Sequence, residues 1–334
     1  MMPRAAALDL GSNSFHLLVA DVHSRQLANA PGAWIDRVAT RKTTLRLGER
    51  VTVTGEVGDA ADRVVEAVEG LVSHARREGA QQLVCVATSA LREANDRQAV
   101  CQRLRAEAGV DVRLLDGLDE GALSLRGMRA ALQVPDGDAA VGLDLGGGSH
   151  EVVASTGASV SAGTTLPLGT AHVAFSHDPP WLAERAELFH RARGELAEVA
   201  AKITAAHGAG GTVIGTAGTI RDAGRVALAL ATGKAPKKVR GLAVTREQLE
   251  RAAARLAAEP VEERADIAGA SRKRADLLPA GSIVLLATLD ALGAGELRLC
   301  HWGVREGALL DALGAEAVVG PGALQPLDAT THSG

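Results

Sequence analysis

The chain has 334 residues, more than one hydrophobic core usually supports, so two domains are expected. With 46% hydrophobic and 23% charged residues it has the composition of a globular protein, which excludes wholesale disorder. A formal net charge of −4 excludes a global field that would gather polyanions, so an acidic substrate has to be held by local groups.

From the N-terminus, an apolar lead-in reaches Leu8-Asp9-Leu10-Gly11-Ser12-Asn13-Ser14, and a β-prone run follows at 15–20. This predicts a hairpin whose turn is made of glycine, hydroxyl and amide residues. Residues 57–77 carry apolar side chains at Val57, Ala61, Val64, Val68, Leu71, Val72 and Ala75, the spacing of an amphipathic helix. A short buried strand is predicted at 83–87, a helix at 96–108 stopped by Gly109, a strand at 110–115 and a helix at 119–132. The turn signal Pro135-Asp136-Gly137 marks a boundary between an N-terminal lobe, 1–133, and a C-terminal lobe, 134–314.

The second half opens on Leu143-Asp144-Leu145-Gly146-Gly147-Gly148-Ser149, with a β-prone run at 151–154. A long helix is predicted over 181–206, then a strand at 212–215 leading into Thr216-Ala217-Gly218-Thr219 and another helix. Thr245 and Gln248 form a capping box that opens a helix ended by Pro260. An apolar helix at 279–292 stopped by Gly293, a strand at 297–300 and a helix near 304–313 complete the pattern. The Gly-, Pro-, Thr- and Ser-rich residues 315–334 are expected to form a disordered tail. Strands alternating with helices in two halves give an α/β protein with a cleft between the lobes.

The two hairpins are copies of one another. Leu8, Asp9, Leu10, Gly11 and Ser14 match Leu143, Asp144, Leu145, Gly146 and Ser149 in one register. A Walker loop opens a helix and ends in Gly-Lys-Ser/Thr, whereas these turns open a second strand and contain no lysine. The chemistry of anion binding still applies: glycine lets the backbone approach a phosphate, and successive N–H groups form a concave positive nest. Residues Gly11, Ser12, Asn13 and Ser14, with Gly146, Gly147, Gly148 and Ser149, are therefore candidate phosphate binders, joined by Gly218 and by Arg92 at a strand end.

Asp9 and Asp144 end their strands beside these turns. A carboxylate next to a phosphate is repulsive unless a cation lies between, and Mg²⁺ binds through one or two carboxylates plus phosphate oxygens. Asp9, Asp144 and Glu151 are the candidate metal residues. Asp119 and Glu120, in a first helical turn, are candidates for the base of a hydrolase, although acids there also serve as dipole partners. Lys42, Arg46 and the basic runs 234–240 and 272–274 are candidates to line a path for a polyanion.

Other functions are disfavoured by composition. The chain has no Tyr, three Phe and three Trp, so its core must be built of Leu, Val and Ala, and base-stacking platforms for nucleic acid are not expected. Cys85, Cys101 and Cys300 are odd in number and far apart, which suits small buried residues in a reducing compartment. No apolar run approaches the roughly 18–20 residues of a membrane span, so a cytoplasmic protein without a membrane partner is expected.

Residues 9–14, Ala87-Thr88-Ser89-Ala90-Leu91-Arg92, 144–151, Leu166-Pro167-Leu168-Gly169, 215–219, 274–281 and Arg305-Glu306-Gly307 resemble, in order, the exopolyphosphatase/guanosine pentaphosphate phosphohydrolase (Ppx/GppA) family. The resemblance runs from residue 6 to about residue 312 and is closest in style to its short actinobacterial exopolyphosphatases. It implies an actin-like fold of two ribonuclease-H-like lobes and release of terminal phosphate from polyphosphate or from guanosine pentaphosphate. The cofactor it implies is Mg²⁺, with Mn²⁺ as an alternative and K⁺ as a candidate activator. It also implies Glu120 as catalytic base, Asp144 and Glu151 as organisers of metal and water, and a homodimer. Departures are His150 where Thr is commoner, Ala217 for Ser, Leu118 for an acid, and Cys300-His301-Trp302-Gly303 for Asp-Gly-Gly. His16 stands where some members carry an Arg that contacts guanosine polyphosphate, which tilts the expectation toward polyphosphate, and the resemblance to short members implies short chains of it. A sugar or acetate kinase and a non-catalytic alarmone or polyphosphate sensor are the competing readings.

Overall fold

An apolar run without alternation belongs in the centre of a sheet. Strand β1 (Arg4–Leu10) is such a run, with Ala5, Ala6, Ala7 and Leu8 all buried. In the computed structural model, which describes residues 4–27, 30–170, 172–173, 175–208, 211–313 and 324–327, β1 lies between two partners. It pairs antiparallel with β2 (Ser14–Leu27), which in turn pairs antiparallel with β3 (Ala30–Thr44). Helices α1 (Leu47–Thr54) and α2 (Ala61–Arg77) lead to β4 (Gln82–Ala87), which pairs parallel with the other side of β1. Then come α3 (Ser89–Glu93), α4 (Arg97–Ala108), the two-residue β5 (Arg113–Leu114) parallel to β4, and α5 (Gly117–Leu132). Gly109 caps α4 in the left-handed conformation, as a stop signal should.

The second sheet repeats this order. Strands β6 (Ala139–Leu145), β7 (His150–Thr156) and β8 (Ser159–Leu166) form an antiparallel meander. After α6 (Leu182–His207), β9 (Thr212–Thr216) runs parallel to β6 and leads into α7 (Ala217–Thr232). The chain continues through β10 (Ala243–Thr245), α8 (Arg246–Ala258), α9 (Val261–Arg264) and α10 (Leu278–Ala291) to β11 (Glu296–Leu299), parallel to β9. The capping box is present, with the Gln248 N–H donating to Thr245 Oγ1 at 3.2 Å and the Thr245 N–H to Gln248 Oε1 at 3.0 Å. Orders β3-β2-β1-β4-β5 and β8-β7-β6-β9-β11 are one ribonuclease-H-like plan used twice.

Helix α11 (Val304–Leu313) and strand β12 (Gln325–Pro326) close the chain, and they belong with the first sheet. The two units are residues 1–130 with 304–334, and residues 131–303. The sequence places the boundary after 133 and α11 in the C-terminal lobe, whereas α11 packs against β1 and β3. Of the expected tail, residues 324–327 form an edge, with β12 pairing antiparallel to β4. Residues 314–323 and 328–334 lie outside the described residues.

Each unit has its own core of Leu, Val and Ala, as the scarcity of aromatics requires, with Phe15 the one large aromatic buried in the first among the described residues. Burying each Leu or Val there stabilises its unit by about 1.5–3 kcal/mol. Close approach also matters. A Cβ on Gly307 of α11 would overlap the carbonyl oxygen of Leu123 in α5. Gly307→Ala is therefore expected to destabilise the first unit by about 3 kcal/mol, read as a lower urea midpoint at unchanged slope.

Candidate active site

Residues directly opposite on neighbouring strands share a face, with Cβ atoms about 5 Å apart. In the first sheet one such row is Asp9, His16 and Lys42, across β1, β2 and β3. The matching row of the second sheet is Asp144, Glu151 and Thr165, across β6, β7 and β8. The first row sets its carboxylate among basic residues. The second sets two carboxylates opposite one another, backed by a hydroxyl that donates from Thr165 Oγ1 to Glu151 Oε1 at 3.0 Å. Glu151 is only 2% exposed, so its neighbour's charge is poorly screened.

The adjacent histidine does not relieve that repulsion. His150 is fully buried, its Nδ1 3.1 Å from the Asp144 carbonyl oxygen and its Nε2 3.0 Å from Thr288 Oγ1. Burial pushes its imidazole down to about 4, against the pull of the Asp144 carbonyl, so the ring is neutral at neutral pH. A cation suits the Asp144–Glu151 pair. Among the described residues no group of three or more His, Cys, Asp and Glu could cage a metal by itself. Two facing carboxylates fit Mg²⁺, which is seldom held by an all-protein cage and completes its shell with water and phosphate oxygens. Asp9, opposite His16 and in a row with Lys42, is the corresponding carboxylate of the first sheet.

Both turns close tightly. In the first, the Gly48 N–H donates to Ser12 O at 2.8 Å, and the Leu45 and Arg46 N–H groups donate to Asn13 O at 3.1 and 3.0 Å. Ser14, 3% exposed, is turned away from solvent and donates to Thr44 Oγ1 at 3.2 Å. Ser12 Oγ lies 2.6 Å from Ser89 Oγ and accepts from the Ala90 N–H at 3.2 Å, which docks the turn on α3. Three residues on, one helical turn along α3, Arg92 Nη1 donates to the Leu115 carbonyl at 2.8 Å and to Glu120 Oε2 at 3.4 Å.

The short helix α3 thus links the first turn to Glu120 through Ser12, Ser89 and Arg92. Asp116 caps α5 by accepting the Asp119 N–H at 2.8 Å, which fixes the turn that carries Glu120. Burial and the nearby Asp116 charge push the Asp119 carboxyl above its ordinary range, while Arg113 pulls it back.

In the second turn the Gly146 N–H donates to Ser149 O at 3.0 Å, and the Thr170 N–H donates to Gly146 O at 3.1 Å. Gly169 lies so close beneath that a Cβ there would overlap the backbone of Gly147, Gly148 and Ser149. Across the strand end, Asp144 is in register with Thr216, and Ala217 follows with φ 70, a left-handed conformation that costs a non-glycine residue about 1–3 kcal/mol. Gly218 lies under the Arg274 guanidinium, where a Cβ would come within 2.7 Å of Cζ. Arg274 is itself tied to Asp222, 2.8 Å from Nε to Oδ2.

The candidates of the sequence therefore sort by surroundings. Within the first unit Ser12, Arg92 and Glu120 form one connected group, and within the second Asp144, Glu151 and the glycine turn form another. Of the basic run 272–274, Arg272 and Arg274 are paired with Asp266 and Asp222. Arg46, with φ 53, caps α1 and pairs with Glu49 at 3.6 Å. Thr165, Gly169, Thr170 and Ser89 carry positioning roles that periodicity could not reveal. The Leu166-Pro167-Leu168-Gly169 motif was the available signal for Gly169, and the 87–92 motif for Ser89. Cys85, Cys101 and Cys300 form no disulfide with one another, and the first and last are buried.

Two ribonuclease-H-like lobes, each with a glycine turn between its first two strands, define a protein of the actin-like class. The chain belongs to the Ppx/GppA phosphatase family, whose model matches residues 25–316. It is 31% identical over 318 residues to exopolyphosphatase 1 of Mycobacterium bovis, covering 94% of this chain and 89% of that one. Exopolyphosphatase 1 of Mycobacterium leprae is 30% identical, with 94% and 91% covered. Two crystal structures share the fold. The Ppx/GppA family member of Aquifex aeolicus superposes with a TM-score of 0.80 at 24% identity, covering 94% of this chain and 98% of that one. An exopolyphosphatase of Cytophaga hutchinsonii gives a TM-score of 0.80 at 22% identity, with 94% and 99% covered. Among the described residues, no helix is long and apolar enough to cross a membrane.

Proposed function

We propose that this chain is an exopolyphosphatase that releases terminal orthophosphate from inorganic polyphosphate. The observation that carries the reading is the duplicated row beside a duplicated glycine turn: Asp9, His16 and Lys42 in one unit, Asp144, Glu151 and Thr165 in the other. The names of the mycobacterial relatives support the same substrate.

In this reading the amides of each turn are a binding site for non-bridging phosphate oxygens within its own unit, and a positioned chain end is open to in-line attack. Glu120 accepts a proton from the attacking water as the new P–O bond forms. The bond to the bridging oxygen breaks, and that oxygen leaves as the new chain terminus. Arg92 holds the Glu120 carboxylate and offers its remaining N–H groups to a phosphoryl oxygen. Mg²⁺ held by Asp144 and Glu151 would supply neutralising charge at the phosphoryl oxygens. Thr165 fixes the rotamer of Glu151. A cytoplasmic homodimer belongs to the same reading, on the strength of the family resemblance.

The test is free phosphate released from tripolyphosphate, long polyphosphate and guanosine pentaphosphate, each with Mg²⁺ and with chelator. Release from polyphosphate that the chelator abolishes is expected. Release from the pentaphosphate alone would overturn the reading. Thr165→Val is expected to raise the Mg²⁺ concentration for half-activation by about 10-fold, within the range typical of groups that orient a metal ligand, at unchanged thermal stability.

A further inference from the structure

The two basic runs look alike in the sequence and differ in the structure. Lys234, Lys237 and Lys238 are exposed, and among the described residues none of them is held in an ion pair. Composition makes them stand out: three of the chain's six lysines fall within these five residues, and residues 225–246 contain six basic residues and no acidic one. The segment is also anchored. Val239 is buried, the Gly241 N–H donates to Leu299 O at 2.8 Å, and the Leu299 N–H donates to Leu242 O at 2.9 Å. Next to it, exposed Arg298 of β11 pairs in register with Ala243 of β10. The result is a cationic ridge held on the edge of the second sheet.

Helix α7 connects this ridge to the candidate phosphate site, with Gly218 in its first turn and Lys234 just past its end. Its 16 residues span about 24 Å. We infer that Lys234, Lys237 and Lys238 form an outlying site for the body of a long polyphosphate chain, remote from the end being hydrolysed. The inference rests on the proposed function and deepens it by naming the substrate class as long-chain polyphosphate. Lysine suits this role because its compact charge on a flexible stem follows a repeating polyanion without demanding a fixed geometry. The ridge has no aromatic residue on which bases could stack, and its exposed Leu230 and Leu242 are isolated side chains too small to form a membrane-binding face.

The test is a triple variant, Lys234→Ser, Lys237→Ser and Lys238→Ser, assayed on tripolyphosphate and on long polyphosphate across a series of salt concentrations. The substitutions are all exposed, and an unchanged melting curve verifies the fold. The KM for long polyphosphate is expected to rise about 10-fold, with kcat unchanged and kcat/KM on tripolyphosphate unchanged. The slope of log KM against log salt should fall by about 0.7 for each lysine engaged, by analogy with single-stranded nucleic acid. Equal KM values for wild type and variant on long polyphosphate would overturn the inference, as would a loss shared equally by tripolyphosphate. Binding to single-stranded RNA or to anionic phospholipid vesicles is measured in parallel. Loss of either, with long-polyphosphate KM intact, would assign the ridge to that partner instead. If the wild type hydrolyses neither polyphosphate, the proposed function itself fails.

Discussion

Glu120→Gln is expected to lower kcat on polyphosphate by about 10²–10⁴-fold, the usual worth of a positioned general base. That is about 3–5 kcal/mol of barrier. Glutamine keeps the size of the side chain and a carbonyl oxygen for Arg92 Nη1, which lies 3.4 Å from Glu120 Oε2, but it cannot take the proton of the attacking water. KM for tripolyphosphate should change little, because the first turn is docked through Ser12 and Ser89 and not through Glu120. Asp119→Asn provides the comparison. Asp119 lies next in sequence but faces Arg113, 3.6 Å away, so its replacement is expected to cost less than 10-fold. A Glu120→Gln enzyme within a few-fold of wild type would remove Glu120 as the base. A larger loss in Asp119→Asn would transfer that role to its neighbour.

The fold was legible wherever one local signal sufficed. The repeated Asp-Leu-Gly turn gave both central hairpins, and glycine stops gave the ends of α4 and α10. Strand β3 was missed because it holds Pro31 and Gly32 and, from Asp36 to Lys42, mostly exposed polar and charged residues. An edge strand with that composition reads as a loop. The helix α11 was placed in the chain, but its return to the first unit depends on close packing of Gly307 against α5, which no periodicity encodes.

The site divides in the same way. Asp144 and Glu151 could be named because they flank a turn, whereas Thr165 acquires its role only through the register of a third strand. The basic runs show the limit most plainly. Arg272 and Arg274 pair with Asp266 and Asp222, one of them 52 residues from its partner, while among the described residues the lysines after α7 meet no carboxylate. Sequence gives the charge of a run, and only tertiary neighbours decide whether that charge is already spent.

Gly169→Ala is expected to carry the second large effect, a loss of about 10² in kcat/KM on polyphosphate. The added Cβ would overlap the backbone of Gly147, Gly148 and Ser149, so the glycine turn beside Asp144 and Glu151 has to shift. A displacement near 1 Å at a site that works by positioning costs about 10²-fold, and the overpacking itself costs about 1–3 kcal/mol. Gly147→Ala separates the two effects. Its Cβ would meet nothing within 4 Å, so stability should be retained. If phosphate sits against the turn as proposed, that methyl occupies its approach, and KM should rise at unchanged melting temperature. A Gly147→Ala enzyme with unaltered KM, beside a Gly169→Ala enzyme that loses stability alone, would mean that the second turn supports the strands and does not hold the substrate.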